Sequence, residues 1–303
     1  MIRKPMKPAT LGKNKQKGID LLEDIDPFTI PFPVYGTPKF DGIRCCIQDG
    51  KALTYNLKQI PNNHVRTLLE DNCIAGMDGE LIVNHTVQDY FNNTQSGIMS
   101  KNGKPDFKFN VFDVMPQTKK EMYTYLERTR MMQRCNASFI EYVIPVLIKD
   151  MRALLAFERD CLKKGFEGII LRTGDSPYKF GRSTLKQFWM VKYKHFQDSE
   201  AKVIGFNELM SNRNKAVRNI VGDIKRSSKK SGMISMKMLG SLKAQDLKTG
   251  IIFNISGFTL KQRKQIWRER KKILGHVFTY KYQKHGMKNK PRFDIFKGWR
   301  IDI

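Results

Sequence analysis

The sequence predicts an α+β chain in two parts: a first domain of short strands and amphipathic helices, then a smaller domain of strands curled around one helix. Three observations carry this. Short β-branched and aromatic runs such as Met77 to Val83 and Phe107 to Met115 alternate with segments of three- and four-residue apolar spacing. The polar stretch Lys194 to Glu200 ends one apolar series before Ala201 to Phe206 opens another. Length also fits, since 303 residues at 40% apolar content suffice for two cores. The expected division is an arm over 1–26, a first domain over 27–197 and a second over 198–303.

Residues 1–26 carry many lysines and little apolar periodicity, which predicts a flexible arm with one helical turn near Leu21 to Ile25. Val34 to Gly50 reads as a strand, a break at Gly42 and a second strand closed by Asp49-Gly50, a hairpin signal. His85 to Ser100 begins as a short helix. Lys120 to Cys135 and Asp150 to Gly165 show the strongest helical spacing, the latter ended by Gly165 at a C′ position. Phe166 to Arg172 is a buried-strand run, and Phe188 to Lys194 alternates with one basic face. Beyond the boundary come strands at Ala201 to Phe206, Met233 to Leu247 and Gly250 to Phe258, a helix from Lys261 to Gly275, and a strand from His276. Five short strands with one helix before the last fit a small oligonucleotide-binding (OB) barrel. Between its first strands lies an insert, 209–232, with seven basic residues to one acidic, too long for a hairpin turn.

Lysine and arginine number 55 against 29 aspartate and glutamate, a net charge of +26. From Asp198 onward 25 basic residues face 8 acidic ones. Such an excess strains a compact fold unless a polyanion is bound, and nucleic acid is the expected one. No window approaches the roughly 18 apolar residues of a membrane span, and the first residues lack a signal peptide's apolar segment. A soluble, intracellular monomer with no membrane partner is therefore expected. Five cysteines without a Cys-x-x-Cys pair point to reduced thiols, neither a disulfide framework nor a zinc knuckle. Phosphate-loop, dinucleotide, zinc-hydrolase and nucleophile-elbow motifs are all absent from the sequence.

What remains is a set of charges at the ends or on the faces of predicted strands: Lys39, Asp78, Glu80, Asp113, Glu167, Lys192 and Lys194. Alone, each is an ordinary solvated or turn residue. Together, cations and carboxylates alternate with buried runs at strand ends, where ligands collect in such sheets.

Lys39-Phe40-Asp41-Gly42-Ile43-Arg44, Asp78-Gly79-Glu80, Phe112-Asp113, Glu167-Gly168-Ile169-Ile170-Leu171-Arg172 and Val191-Lys192-Tyr193-Lys194 resemble, in that order, the nucleotidyl-transferase motifs of ATP-dependent DNA ligases. The resemblance, to the small viral and phage members, runs from Pro33 to Asp302 and leaves the arm without a counterpart. It implies a nucleotidyl-transferase (adenylation) domain followed by an OB-fold domain, and ATP and Mg²⁺ as cofactors. Lys39 would attack the α-phosphorus of ATP and hold AMP. An amine attacks only when neutral, a form that Lys192, Lys194, Arg44 and bound Mg²⁺ would favour while spreading the pyrophosphate charge. Phe112 would stack on adenine, with Thr37 and Pro38 at the base edge. Glu80 would hold the ribose and, with Glu167, offer carboxylates to the metal. Arg44 would reach the sugar or the nick phosphate, and Arg292 and Arg300 would complete the ATP site. Asp78 and Asp113 read as architectural, with direct function the alternative.

Nicked duplex DNA is the implied partner, with roles in replication, repair and recombination and a viral source expected. Lys58, Arg182 and Lys186 would contact phosphates. The insert, with Arg213, Lys215, Arg218, Lys225, Arg226, Lys229 and Lys230, resembles a latch that closes around the duplex; a disordered basic loop is the alternative. Lacking aromatic residues, it should grip backbone without stacking on bases. Two departures stand out. Where the family has a Ser-Arg pair that touches the 5′-phosphate, the chain reads Thr54-Tyr55-Asn56, so Lys58 is the expected substitute. The terminal Arg-x-Asp-Lys motif reads Arg300-Ile301-Asp302-Ile303, without its lysine. Rival readings are an RNA ligase, an mRNA capping guanylyltransferase and a non-catalytic nucleic-acid clamp.

Overall fold

The computed structural model describes residues 2–11, 29–83, 90–118, 121–132, 135, 137–194, 196–218, 224–283, 287 and 289–300. Two compact units emerge, Met1–His195 and Phe196–Ile303.

The first unit contains strands β1 (Met6–Lys7), β2 (Ala9–Thr10), β3 (Val34–Lys39), β4 (Ile43–Gln48), β5 (Lys51–Thr54), β6 (Met77–Val83), β7 (Phe107–Val114), β8 (Ile140–Tyr142), β9 (Val146–Ile148), β10 (Gly168–Arg172), β11 (Gly181–Arg182) and β12 (Val191–Lys194). Its helices are α1 (Asn63–Asn72), α2 (Tyr90–Met99), α3 (Tyr125–Met131) and α4 (Met151–Lys163). Two five-stranded sheets result, ordered β2-β12-β10-β3-β9 and β5-β4-β6-β7-β8. β6 and β10 are central and almost wholly buried; the run Gly168–Arg172 is nearly all apolar, whereas β6 also buries Asp78. One core, with Leu154 of α4 against Val34 and Leu171, lies on the first sheet; another, with Val65 and Leu69 of α1 against Ile47 and Leu81, lies on the second. Met6, Cys46, Ile170, Tyr178 and Met190 belong to a smaller cluster drawing on both sheets.

The helices begin where side chains can accept orphan amides. Asp150 accepts from the Ala153 amide at 2.8 Å, and Gly165 beyond α4 takes φ +82°. Thr124 and Glu127 form a reciprocal capping box, so the helix expected from Lys120 starts only at Tyr125. α1, which the apolar spacing did not single out, is capped by Asn62 through the Val65 amide at 2.9 Å.

The expected flexible arm is corrected over residues 2–11. β1 pairs parallel with β11 and β2 with β12, burying Met6, Ala9 and Leu11. These apolar side chains join clusters with residues far along the chain, among them Tyr178, Met190 and Val191, which local periodicity does not register. The helical turn expected near Leu21 to Ile25 lies outside the described residues. The strand expected from Phe188 starts at Val191, because Phe188 takes φ +52° and breaks the extended run.

The second unit has strands β13 (Gln197–Asn212), β14 (Ala216–Arg218), β15 (Ile224–Arg226), β16 (Met233–Asp246), β17 (Ile252–Ile255), β18 (Val277–Gln283) and β19 (Arg292–Trp299), with helices α5 (Leu260–Arg268) and α6 (Arg270–Ile273) between β17 and β18. Its main sheet is antiparallel, ordered β17-β16-β13-β18-β19, over a core containing Leu242, Phe253, Ile266 and Phe278. The helix thus precedes two strands, since Arg292–Trp299 forms the last one. All five cysteines are free, and no helix among the described residues is long and apolar enough to cross a membrane.

Candidate active site

Register across the first sheet assembles the charges. Gly168 of β10 sits opposite Lys39 of β3 on one side and Lys194 of β12 on the other. Two residues further along β10, Ile170 stands between Thr37 and Lys192. Because side chains alternate along a strand, Thr37 and Lys39 share a face, as do Lys192 and Lys194. Gly168 is required here: a Cβ would lie 2.2 Å from the Tyr193 carbonyl oxygen. Just before it, the Glu167 amide donates to the Lys39 carbonyl at 3.1 Å, and its buried carboxylate takes ion pairs from both Lys39 and Lys194. Burial alone would raise the Glu167 pKa, but the two ammonium groups outweigh it and hold the carboxyl below its ordinary range. Lys192 is pushed down to about 8, by burial first and then by Lys194 and Lys39.

The second sheet faces the same pocket. Arg44 and Glu80 are cross-strand partners on β4 and β6. Desolvation raises Glu80 to about 7 despite Arg44 and Lys39. Phe112 occupies a β-bulge: Asp78 pairs with Asp113 and Gly79 with Val111, leaving Phe112 as the extra residue. A bulge re-aims its side chain. The pocket, of about 190 Å³, is lined by Thr37, Pro38, Lys39, Arg44, Glu80, Phe112 and Lys192 among the sequence-selected residues.

Two aspartates anchor this arrangement from inside. Asp78 accepts from Arg44 Nε at 2.6 Å and Nη2 at 2.7 Å, and from the Tyr178 hydroxyl at 2.6 Å. Asp113 accepts from Arg128 Nε at 2.7 Å and is also paired with Arg172. Burial would raise the Asp113 pKa, yet the two guanidinium groups lower it.

Three lining residues, Met6, Lys7 and Pro8, come from the segment expected to be loose, and Phe40, Ile170, Arg172 and Met190 join the lining without having been named as site residues. Tyr55 lines the pocket too, with Lys7 Nζ 4.7 Å from its ring centroid. Lys58, by contrast, is exposed and absent from the lining; its backbone closes a turn with Thr54. Arg182 and Lys186 are exposed in this unit. In the second unit, Arg292 opens β19 over the ring of Phe293, and Arg300 pairs with Glu200. Ile301, Asp302 and Ile303 lie outside the described residues. In the insert, Arg213, Lys215, Arg218, Lys225, Arg226, Lys229 and Lys230 are exposed, and β14 pairs with β15 as a two-stranded ribbon.

A family model described as a DNA ligase OB-like domain matches residues 235–300. Two solved structures of the Chlorella virus DNA ligase–adenylate are similar along the chain. One is 30% identical, covering all of both chains at TM-score 0.53. The other is 29% identical, covering 99% of this chain and 100% of that one, also at TM-score 0.53. A Lig E DNA ligase structure is 22% identical over 99% of this chain and 100% of its own, with TM-score 0.67, a likeness of fold. No curated protein matches the chain.

Proposed function

Because this chain belongs to the DNA ligase family, we propose that it uses ATP to seal 3′-hydroxyl/5′-phosphate nicks in duplex DNA through lysyl-AMP and DNA-adenylate. The observation that carries the reading is the row Lys39, Gly168, Lys194 with Lys192 on the same face of β12, which sets an amine, two further lysines and the buried Glu167 carboxylate beside one pocket. Glu167 holds Lys39 in an ion pair, and attack requires that pair to open so that the amine can lose its proton. The Lys39 nitrogen then bonds to the α-phosphorus while the bond to the β-phosphate oxygen breaks, releasing pyrophosphate beside Lys192 and Lys194. In the second step a 5′-phosphate oxygen of the nick bonds to that phosphorus and the N–P bond breaks. Finally the 3′-hydroxyl oxygen attacks the 5′-phosphorus, loses its proton and expels AMP.

Phe112 supplies the aromatic face for adenine, Thr37 and Pro38 its edge, and Glu80 an acceptor for the ribose. Magnesium is typically held by one or two carboxylates plus substrate phosphates. Glu80 and Glu167 meet that description, and the described residues contain no cluster of three or more acidic, His or Cys ligands. The cation would therefore arrive on phosphate and supply charge neutralisation there. The surplus of basic residues, and above all the exposed insert, suits backbone contacts with duplex DNA.

Incubation with labelled ATP or GTP, followed by denaturing electrophoresis and peptide mapping, tests the reading. An ATP-derived adduct on Lys39, absent in Lys39→Ala, and sealing of nicked DNA are expected. A GTP adduct would favour a capping guanylyltransferase, preferential sealing of RNA nicks an RNA ligase, and no adduct a non-catalytic clamp.

A further inference from the structure

We infer that Lys7, carried into the pocket by the N-terminal strand and seated on the Tyr55 ring, binds the terminal 5′-phosphate of the strand to be joined. The inference rests on the ligase reading above and adds a positioning residue to it.

Of the other cations lining the pocket, Lys39, Arg44 and Arg172 are matched by carboxylates, and Lys192 is assigned above to the pyrophosphate. Lys39 and Lys194 share Glu167, and Arg44 is gripped by Asp78. Lys7 has no carboxylate partner among the described residues. Its ammonium group is instead 4.7 Å from the Tyr55 ring centroid, an attraction that holds a cation without neutralising it. Lys4 approaches the same ring at 5.8 Å. Tyr55 is itself a pocket residue at the end of β5, so Lys7 supplies positive charge where the side chain at position 55 supplies none.

Its backbone is fixed from both neighbours. Buried Met6 donates its amide to the Tyr178 hydroxyl at 3.0 Å, and the Lys7 carbonyl accepts from the Ser183 amide at 2.8 Å. A lysine on a paired strand is partly pre-organised, which reduces the entropy lost on binding.

The basic character continues away from the pocket. Arg182 is the register partner of Lys7, exposed, with Nη1 3.4 Å from the Pro8 carbonyl oxygen. Lys4 and Lys186 are exposed as well. A free nucleotide ends within the pocket, whereas a strand end presents one phosphate there and further phosphates outside. This distribution favours the polymer end.

Lys7→Ala, Lys7→Arg and the double variant Lys7→Ala/Tyr55→Arg test the assignment against wild type. Self-adenylylation, affinity for nicked duplexes bearing 5′-phosphate or 5′-hydroxyl, and single-turnover sealing would be measured. We expect Lys7→Ala to lose about ten- to a hundredfold in sealing at low nick concentration and its preference for the 5′-phosphate nick, with a much smaller change in adenylylation. Lys7→Arg, and the double variant with its cation returned from position 55, should regain most of both. Unchanged sealing and preference in Lys7→Ala would overturn the inference. So would an equal loss of adenylylation, which would assign the lysine to ATP or to folding, or a failure of the arginine at position 55 to restore the preference. Should the wild type itself neither form the adduct nor seal, the ligase reading fails first.

Discussion

The Arg44 guanidinium lies 4.5 Å from the centroid of the Phe112 ring while both of its bonds to Asp78 are in place. Burial alone would lower the arginine's pKa, but Asp78 raises it. Asp78 thus fixes the cation that supports the aromatic face, although its own carboxylate does not line the pocket. Replacing Asp78 with Asn should leave a largely buried guanidinium half-satisfied. A loss of about 3 kcal/mol in denaturant unfolding is expected, together with a several-fold rise in the ATP concentration needed for half-maximal adenylylation. Normal stability with normal ATP dependence would show that Arg44 holds its place without the pair.

Asp113 should be the more severe position, since it, Arg128 and Arg172 are each no more than 2% exposed. Asp113→Ala strands two buried guanidinium groups, and about 3–5 kcal/mol of destabilisation is expected. The paired carboxyl titrates below its ordinary value in the folded protein. Its contribution is therefore complete above the unfolded pKa of about 3.9 and is lost as pH falls through the folded value. Acid unfolding should accordingly shift to higher pH in Asp113→Asn, measured by circular dichroism.

Self-adenylylation should show a narrow bell-shaped pH profile. Glu80, at about 7, gains its charge as pH rises, which improves its acceptance of a ribose hydroxyl. Lys192, at about 8, loses its charge on further increase and with it the attraction for the triphosphate. Glu80→Gln should weaken the rising limb and Lys192→Arg the falling one. For stability alone Glu80 acts oppositely: its raised pKa favours folding below about 4.5, and that contribution disappears as pH passes about 7.

The insert has a clean excision point. β13 and β16 stay paired out to Asn212 and Met233, so Leu209 to Asn212 belong to the sheet and not to the insert proper. Replacing 213–232 with a short turn should keep the second unit folded and self-adenylylation intact. Nicked-duplex affinity should fall and its dependence on salt flatten, measured by titration at several salt concentrations. An equal loss of adenylylation would make the segment structural.

Part of the candidate site was legible in sequence because strand alternation and apolar runs are local signals. β6 falls on Met77–Val83 as its composition predicts, and Lys192 and Lys194 share one face of β12 by period-two spacing. Signals that depend on distant partners were not legible. Nothing near Asp113 announces Arg172, and nothing in the lysine-rich opening announces that Met6 will be buried against a segment near residue 180. The bulge at Phe112 is equally silent, since it is a property of two strands in register.

The threading of residues 6–10 against β11 and β12 has a consequence for how the protein is made. These residues leave the ribosome long before Gly181 and Val191, their register partners, have been synthesised. The β2 edge, and the seat of Lys7 on Tyr55, must therefore close late, after the first unit's chain is nearly complete. Such long-range parallel pairing is slow to form, so nascent chains stalled before residue 190 should expose this opening segment to proteases.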